Sequence, residues 1–133
     1  MNWGYVGLTI LVLEEIEQTR RGIEELLTRD GYVVLAAKDE AEAVECALGS
    51  RPDLILVSRG DLSCDVIRTA TRIRERAEVG DAVPVVIFCM EEVEEGGEVE
   101  IERNICLTMP DNFNQLRQLI ERLLSRVANF KLV

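Results

Sequence analysis

The sequence predicts an α/β fold, a parallel β-sheet with helices packed on both of its faces. Two observations carry this. Short apolar runs alternate along the chain with stretches whose apolar residues recur every three to four positions, and each run gives way to polar residues just ahead of such a stretch. The chain has 133 residues, of which 47% are apolar, enough for one ordinary domain with a real core. We read residues 1–133 as that single domain, its core running from about residue 8 to 127.

The elements follow in order. The first run, Val6 to Leu13, stops at Glu14-Glu15. Ile16, Ile23, Leu26 and Leu27 then fall on one helical stripe, and Gly31 stands where a left-handed helix stop is wanted. The second strand is Tyr32 to Ala36. Asp39 with Glu42 three residues on has the form of a capping box, and Val44, Ala47 and Leu48 share one face of the helix it opens. Gly49-Ser50-Arg51-Pro52 breaks that helix.

The third strand is Leu54 to Val57, with Ser58 at its end. A helix follows from about Asp65, with Val66, Ile67, Ala70 and Ile73 inward and Arg68, Arg72, Arg74 and Arg76 outward. The fourth strand, Val83 to Phe88, carries Pro84 near its start, where a missing N–H is tolerated. Ile105 to Leu107 is the fifth. The last helix opens at Asp111 and buries Phe113, Leu116, Leu119, Ile120, Leu123 and Val127, the most regular amphipathic stripe in the chain. Five such units make a flavodoxin-like three-layer sandwich, its five parallel strands in the order 2-1-3-4-5, with a site at the carboxyl ends of the strands.

One segment breaks the pattern. Residues 91–102 hold seven glutamates, most of the net charge of the chain. They read either as a solvated, self-repelling loop or, from Gly96-Gly97 and the period-two order Glu98-Val99-Glu100-Ile101, as a short hairpin or edge extension. Either way the fourth helix is expected to be short, distorted or absent.

Composition excludes several classes of function. Lys plus Arg number 15 against 25 Asp plus Glu, a net charge of −10 with a pI near 4.5. That disfavours nucleic-acid binding, which needs a basic face, and a polybasic membrane anchor. There is no histidine, so Ser-His-Asp triads, Cys-His dyads and His-ligated zinc are excluded. The longest uncharged stretch, Met1–Leu13, lacks a basic n-region and is too short to span a bilayer. The isolated Cys46, Cys64, Cys89 and Cys106 form no C-x-x-C pair and read as small buried hydrophobes of a reducing, cytoplasmic setting.

The strand ends bring a constellation together: Glu14 and Glu15 after the first strand, Ser58 after the third, Cys89 after the fourth, Met109-Pro110 after the fifth. Here the chain resembles the CheY-like receiver domain of response regulators. The resemblance rests on Ile10-Leu11-Val12-Leu13-Glu14-Glu15, Arg51-Pro52-Asp53-Leu54-Ile55-Leu56-Val57-Ser58, Pro84-Val85-Val86-Ile87-Phe88-Cys89 and Leu107-Thr108-Met109-Pro110, in that order and spacing. It implies a pocket in which two acidic residues help hold Mg²⁺, an Asp after the third strand accepts a phosphoryl group, and a Ser or Thr and a Lys answer the phosphate.

Only the acidic pair survives in kind, as Glu14 and Glu15. Ser58 stands at the acceptor position, Cys89 at the hydroxyl position and Met109 at the lysine position; Leu62 and Val66 replace the usual Pro and Gly of the following loop. A Ser hydroxyl is a weak nucleophile without a positioned base, and Met109 offers no charge to a phosphate. Because a carboxylate and a lysine are lost together, the formal charge of the pocket is unchanged. No cofactor is expected, Mg²⁺ on Glu14 and Glu15 being the one metal the residues leave open. The same acidic residues also suit plain solvation or capping of strand ends. The resemblance further implies a cis Met109–Pro110 bond.

These substitutions read as a degenerate receiver, a pseudo-receiver: not an enzyme, but a phosphorylation-independent interaction module in two-component signalling. Its partners are expected to be signalling proteins, a histidine kinase or an output protein, or a second copy in a homodimer, with no nucleic acid and no membrane. The interaction face is expected to combine Glu98, Glu100 and Glu102 with Arg117, Arg122 and Arg126 on the outer side of the last helix. Two alternatives stay open: a response regulator phosphorylated on a substitute acceptor such as Ser58, and a flavodoxin-like module holding a small ligand, although no Gly-rich phosphate cradle is present.

Overall fold

In the computed structural model, which describes residues 7–58, 63–88 and 93–132 (63–64 and 127–132 by backbone alone), the elements run β1 (Thr9–Leu13), α1 (Glu17–Arg29), β2 (Val33–Ala37), α2 (Glu40–Gly49), β3 (Leu54–Val57), α3 (Ser63–Arg76), β4 (Val85–Phe88), β5 (Glu98–Ile101), β6 (Ile105–Thr108) and α4 (Phe113–Leu132). The strands form one sheet in the order β2-β1-β3-β4-β6-β5. All neighbours are parallel except β5, which runs antiparallel to β6.

The expected five-stranded sheet is thus corrected to six. Its parallel part keeps the expected order, and an edge strand is added where a helix would otherwise cross. The reason lies in Glu98-Val99-Glu100-Ile101, whose alternation suits a strand with two chemically different faces. Ile101 packs on the core, while the glutamates face the arginines of α4.

Alternation also divides the core. Leu11, Leu13, Ile55, Val57, Ile87 and Leu107 point to one face and pack on Ala43 and Ala47 of α2 and Val66, Ala70 and Ile73 of α3. Ile10, Val12, Leu54, Leu56 and Val86 point to the other, under Leu27 of α1 and Leu116, Leu119, Ile120, Leu123 and Leu124 of α4. Burial on both faces explains why β1 and β3 read as unbroken apolar runs.

Local signals act as read at several points. The Asp39 side chain accepts from the Glu42 amide at 2.8 Å, and Glu42 reaches back to the Lys38 amide at 3.3 Å. Gly31 takes φ 98° after α1. Two apolar assignments do not hold: Ile16 lies outside α1 at its N-cap and is 62% exposed, and Leu48 is 56% exposed near the end of α2.

Arg74 is the larger correction. Its charge puts it among the outward arginines of its helix, yet it is 1% exposed. Its guanidinium donates to the carbonyls of Arg103 and Val83, and to that of Asn104 at 3.2 Å, with Asp81 at 3.7 Å. Arg103 and Asn104 turn β5 into β6 with φ values of 63° and 60°. Asn tolerates that conformation better than Arg does, and Arg74 secures the carbonyls of both. Burial pushes the Arg74 pKa down, against the pull of Asp81.

Candidate functional site: the strand-end crevice and the acidic hairpin

Register aligns the strand ends. Leu13 pairs with Val57, Val57 with Ile87, and Ile87 with Leu107. The next residue of each strand therefore stands on one level, which brings Glu14 beside Ser58. Both are buried, Glu14 at 5% and Ser58 at 8% exposure. The Glu14 amide donates to Ala37 O at 3.0 Å and the Ser58 amide to Leu13 O at 2.9 Å, so the sheet itself fixes their backbones.

Glu15 does not join them and is exposed. From the first turn of α1, Arg20 donates to the Glu14 carbonyl at 2.9 Å and to the Glu15 carbonyl at 3.3 Å. This holds the loop after β1 and places a cation against its main-chain oxygens. The sequence signal for it was an arginine one helical turn after Ile16, and its reach back to the strand end is a matter of side-chain length.

Met109 is half-buried and packs on the core. Its amide donates to Gly97 O at 3.1 Å and its carbonyl accepts from Gly96 N at 2.6 Å. The bond between Met109 and the half-buried Pro110 is trans, not cis. Trans is the lower-energy form of an X–Pro bond by about 0.5–1 kcal/mol. The turn into α4 is shaped by other means: the Gln115 side chain accepts from the Asp111 amide at 2.7 Å and donates to Gly96 O, while Asn112 Oδ1 accepts from the Gln115 amide at 3.0 Å. Cys89 lies outside the described residues.

Among the described residues, those at the strand ends do not fit a resident Mg²⁺ ion. That ion wants near-octahedral oxygen ligation with carboxylates contributing charge. Here one carboxylate is buried beside a neutral hydroxyl, the second is exposed, and the adjacent main-chain oxygens already accept from Arg20. Among the described residues no three Asp, Glu, Cys or His side chains converge as metal ligands.

The expected interaction face is only partly assembled. Glu98 pairs with Arg122, and Glu100 with Arg126 at 3.5 Å, both bridging β5 to α4. Glu102 is exposed in the turn after β5. Arg117 is directed elsewhere, donating to Asp30 at 2.8 Å beyond the end of α1 and lying 5.1 Å from the centre of the Phe113 ring. Two of the glutamates are therefore matched by arginines within the chain.

Beneath these pairs is a cleft of about 130 Å³, floored by Cys106, Leu119 and Leu123. Burial, then Glu98 and Glu100, push the Cys106 thiol up to about 11, so it is a packing group and not a nucleophile near neutral pH.

At the opposite end of the sheet, sequence reasoning passed over Asp53. Its carboxylate accepts from the Thr9 amide at 2.8 Å while its own amide donates to Thr9 O at 2.7 Å, clamping the starts of β1 and β3 together. An acidic residue directly ahead of an apolar strand was the available signal.

No protein-family model and no curated protein sequence matches the chain. Among the described residues no helix is long and apolar enough to cross a membrane. Solved structures do match. The receiver domain of the hybrid histidine kinase CckA aligns over 87% of this chain and 98% of its own, with 23% identity and a TM-score of 0.59. The Vibrio cholerae chemotaxis protein CheY4 aligns over 89% and 99%, with 17% identity and a TM-score of 0.68. The receiver domain of the sensor histidine kinase PA1611 from Pseudomonas aeruginosa, solved with magnesium coordinated in its active-site cleft, aligns over 90% and 99%, with 23% identity and a TM-score of 0.66. The chain therefore has the α/β CheY-like receiver fold, with its parallel sheet extended by one antiparallel strand.

Proposed function

We propose that the chain is a degenerate receiver, a signalling module that works by protein contact and neither accepts phosphate nor catalyses a reaction of its own. The observation that carries this reading is the neutral hydroxyl of Ser58 at the end of β3, level with buried Glu14. An Asp at that place would attack phosphorus as a ready anion, whereas Ser needs a base to take its proton, and the chain has no histidine. Met109, at the position of the usual lysine, carries no charge and is half-buried against the core.

Its partners on this reading are signalling proteins, a histidine kinase or an output protein, met in the cytoplasm. The experiment is incubation with acetyl phosphate and Mg²⁺ followed by intact mass spectrometry. The expected spectrum is unchanged. Stoichiometric gain of one phosphoryl group would overturn the reading in favour of a response regulator with a substitute acceptor.

A further inference from the structure

We propose that the outer edge of β5 is a docking site for an extended, basic strand of a partner protein, which would add to the sheet as a seventh strand. This rests on the reading of the chain as an interaction module, and names where and what it binds.

β5 ends the sheet and is paired on one side only. The Met109 amide donates to Gly97 O, and Glu98 stands opposite Thr108. In antiparallel geometry this makes Glu98 and Glu100 the residues whose main-chain groups turn away from β6, while those of Val99 and Ile101 turn toward it. Among the described residues, no other backbone group meets the outward amides and carbonyls of Glu98 and Glu100. They form a ready template for strand addition.

The side chains say which strand fits. On the face toward α4 the edge presents Glu98 and Glu100; on the other it presents Val99, which is 44% exposed. A second copy fits poorly. Symmetric antiparallel pairing would set Glu98 opposite Glu100 of the other copy, or Glu100 opposite its own equivalent, and like charges directly opposite are destabilising. A strand with Lys or Arg at alternate positions meets both glutamates and lays its apolar residues over Val99. Exposed Glu94, Glu95 and Glu102, which form no ion pair among the described residues, add to the attraction. The existing pairs to Arg122 and Arg126 are solvent-exposed, so sharing their carboxylates with an incoming cation costs little.

The test uses the full chain and a short synthetic peptide of alternating lysine and valine, followed by amide hydrogen exchange and NMR shift mapping. Protection of the Glu98 and Glu100 amides is expected, with an alternating glutamate–valine peptide giving none. Glu100→Pro removes one outward N–H without touching the ladder to β6, and is expected to weaken binding by about tenfold. Where that variant does not fold, the double variant Glu98→Lys, Glu100→Lys decides: it is expected to prefer the glutamate–valine peptide. Absence of protection in the wild type, undiminished binding by a folded Glu100→Pro, or an unchanged peptide preference in the double variant would each overturn the proposal. Phosphoryl uptake from acetyl phosphate would leave these results untouched, so the two readings fail separately.

Discussion

The Arg74 guanidinium lies 3.2 Å from the carbonyl oxygen of Asn104, thirty residues further along the chain, and reaches the carbonyls of Val83 and Arg103 as well. One buried side chain thus ties α3 to the loop before β4 and to the turn of the β5–β6 hairpin. Arg74→Ala is expected to cost about 2–4 kcal/mol, because buried carbonyls lose their donors. Arg74→Lys should recover only part of this, since an ammonium cannot fork between separate acceptors. Urea unfolding of the two variants measures both.

Asp53 gives a smaller effect at the same end of the sheet. Asp53→Ala removes the acceptor held 2.8 Å from the Thr9 amide and should cost about 1–3 kcal/mol. Asp53→Asn keeps an acceptor oxygen and should cost about half as much. Thermal unfolding at neutral pH ranks the pair.

Gly96 has φ 80°, and a Cβ there would sit 2.7 Å from Asp111 Oδ2. Gly96→Ala is expected to destabilise by about 1–2 kcal/mol, mostly through the left-handed backbone, since the Asp111 carboxylate can swing aside. Gly97→Ala should cost less. It crowds Glu94 O at 3.0 Å but has no left-handed backbone to strain. Amide exchange of β5 in both variants shows whether the edge strand loosens with the Gly96 tie to Met109 and Gln115.

These elements mark what could be read from the sequence. Leu54–Val57 was legible as a strand with both faces buried because four apolar residues stand between a Pro-bearing turn and a polar stop. Glu98–Ile101 was legible only in part: its period of two allowed an edge extension, but its charge equally suited a solvated loop, and the sheet was expected to have five strands. Ser58 was legible because the end of a strand places it. Arg74 was not. Four residues after Ala70 it falls on the inward stripe of α3, yet its charge argued for solvent, and the carbonyls that satisfy it come from residues far along the chain. Glu14 and Glu15 read as a pair, but consecutive residues beyond a strand point apart, so one is buried and the other exposed. The bond before Pro110 is trans, the ordinary form of an X–Pro bond, and only the family resemblance implied otherwise.

Cys106 gives a pH signature. Its thiol is held at about 11 in the folded chain, against about 8.5 when unfolded. The raised value favours the protonated folded state, so its contribution is complete below the unfolded value and is lost as pH rises toward the folded one. Relative to Cys106→Ala, the wild type should therefore lose on the order of 2 kcal/mol between about pH 8.5 and 11. Parallel urea titrations across that range, differenced between the two proteins, isolate this contribution from other groups.

The two rims of the sheet are chemically unlike: Val33–Ala37 carries no charge and shows Val33 at 49% exposure, while Glu98–Ile101 is studded with carboxylates. Joining the first rim of one molecule to the second rim of the next would be a head-to-tail contact that no rotation needs to close, the geometry of a fibre. At neutral pH that union would strand glutamates beside an apolar strand. The charged rim thus guards the sheet against end-to-end growth, since an apolar strand offers its carboxylates no counter-charge.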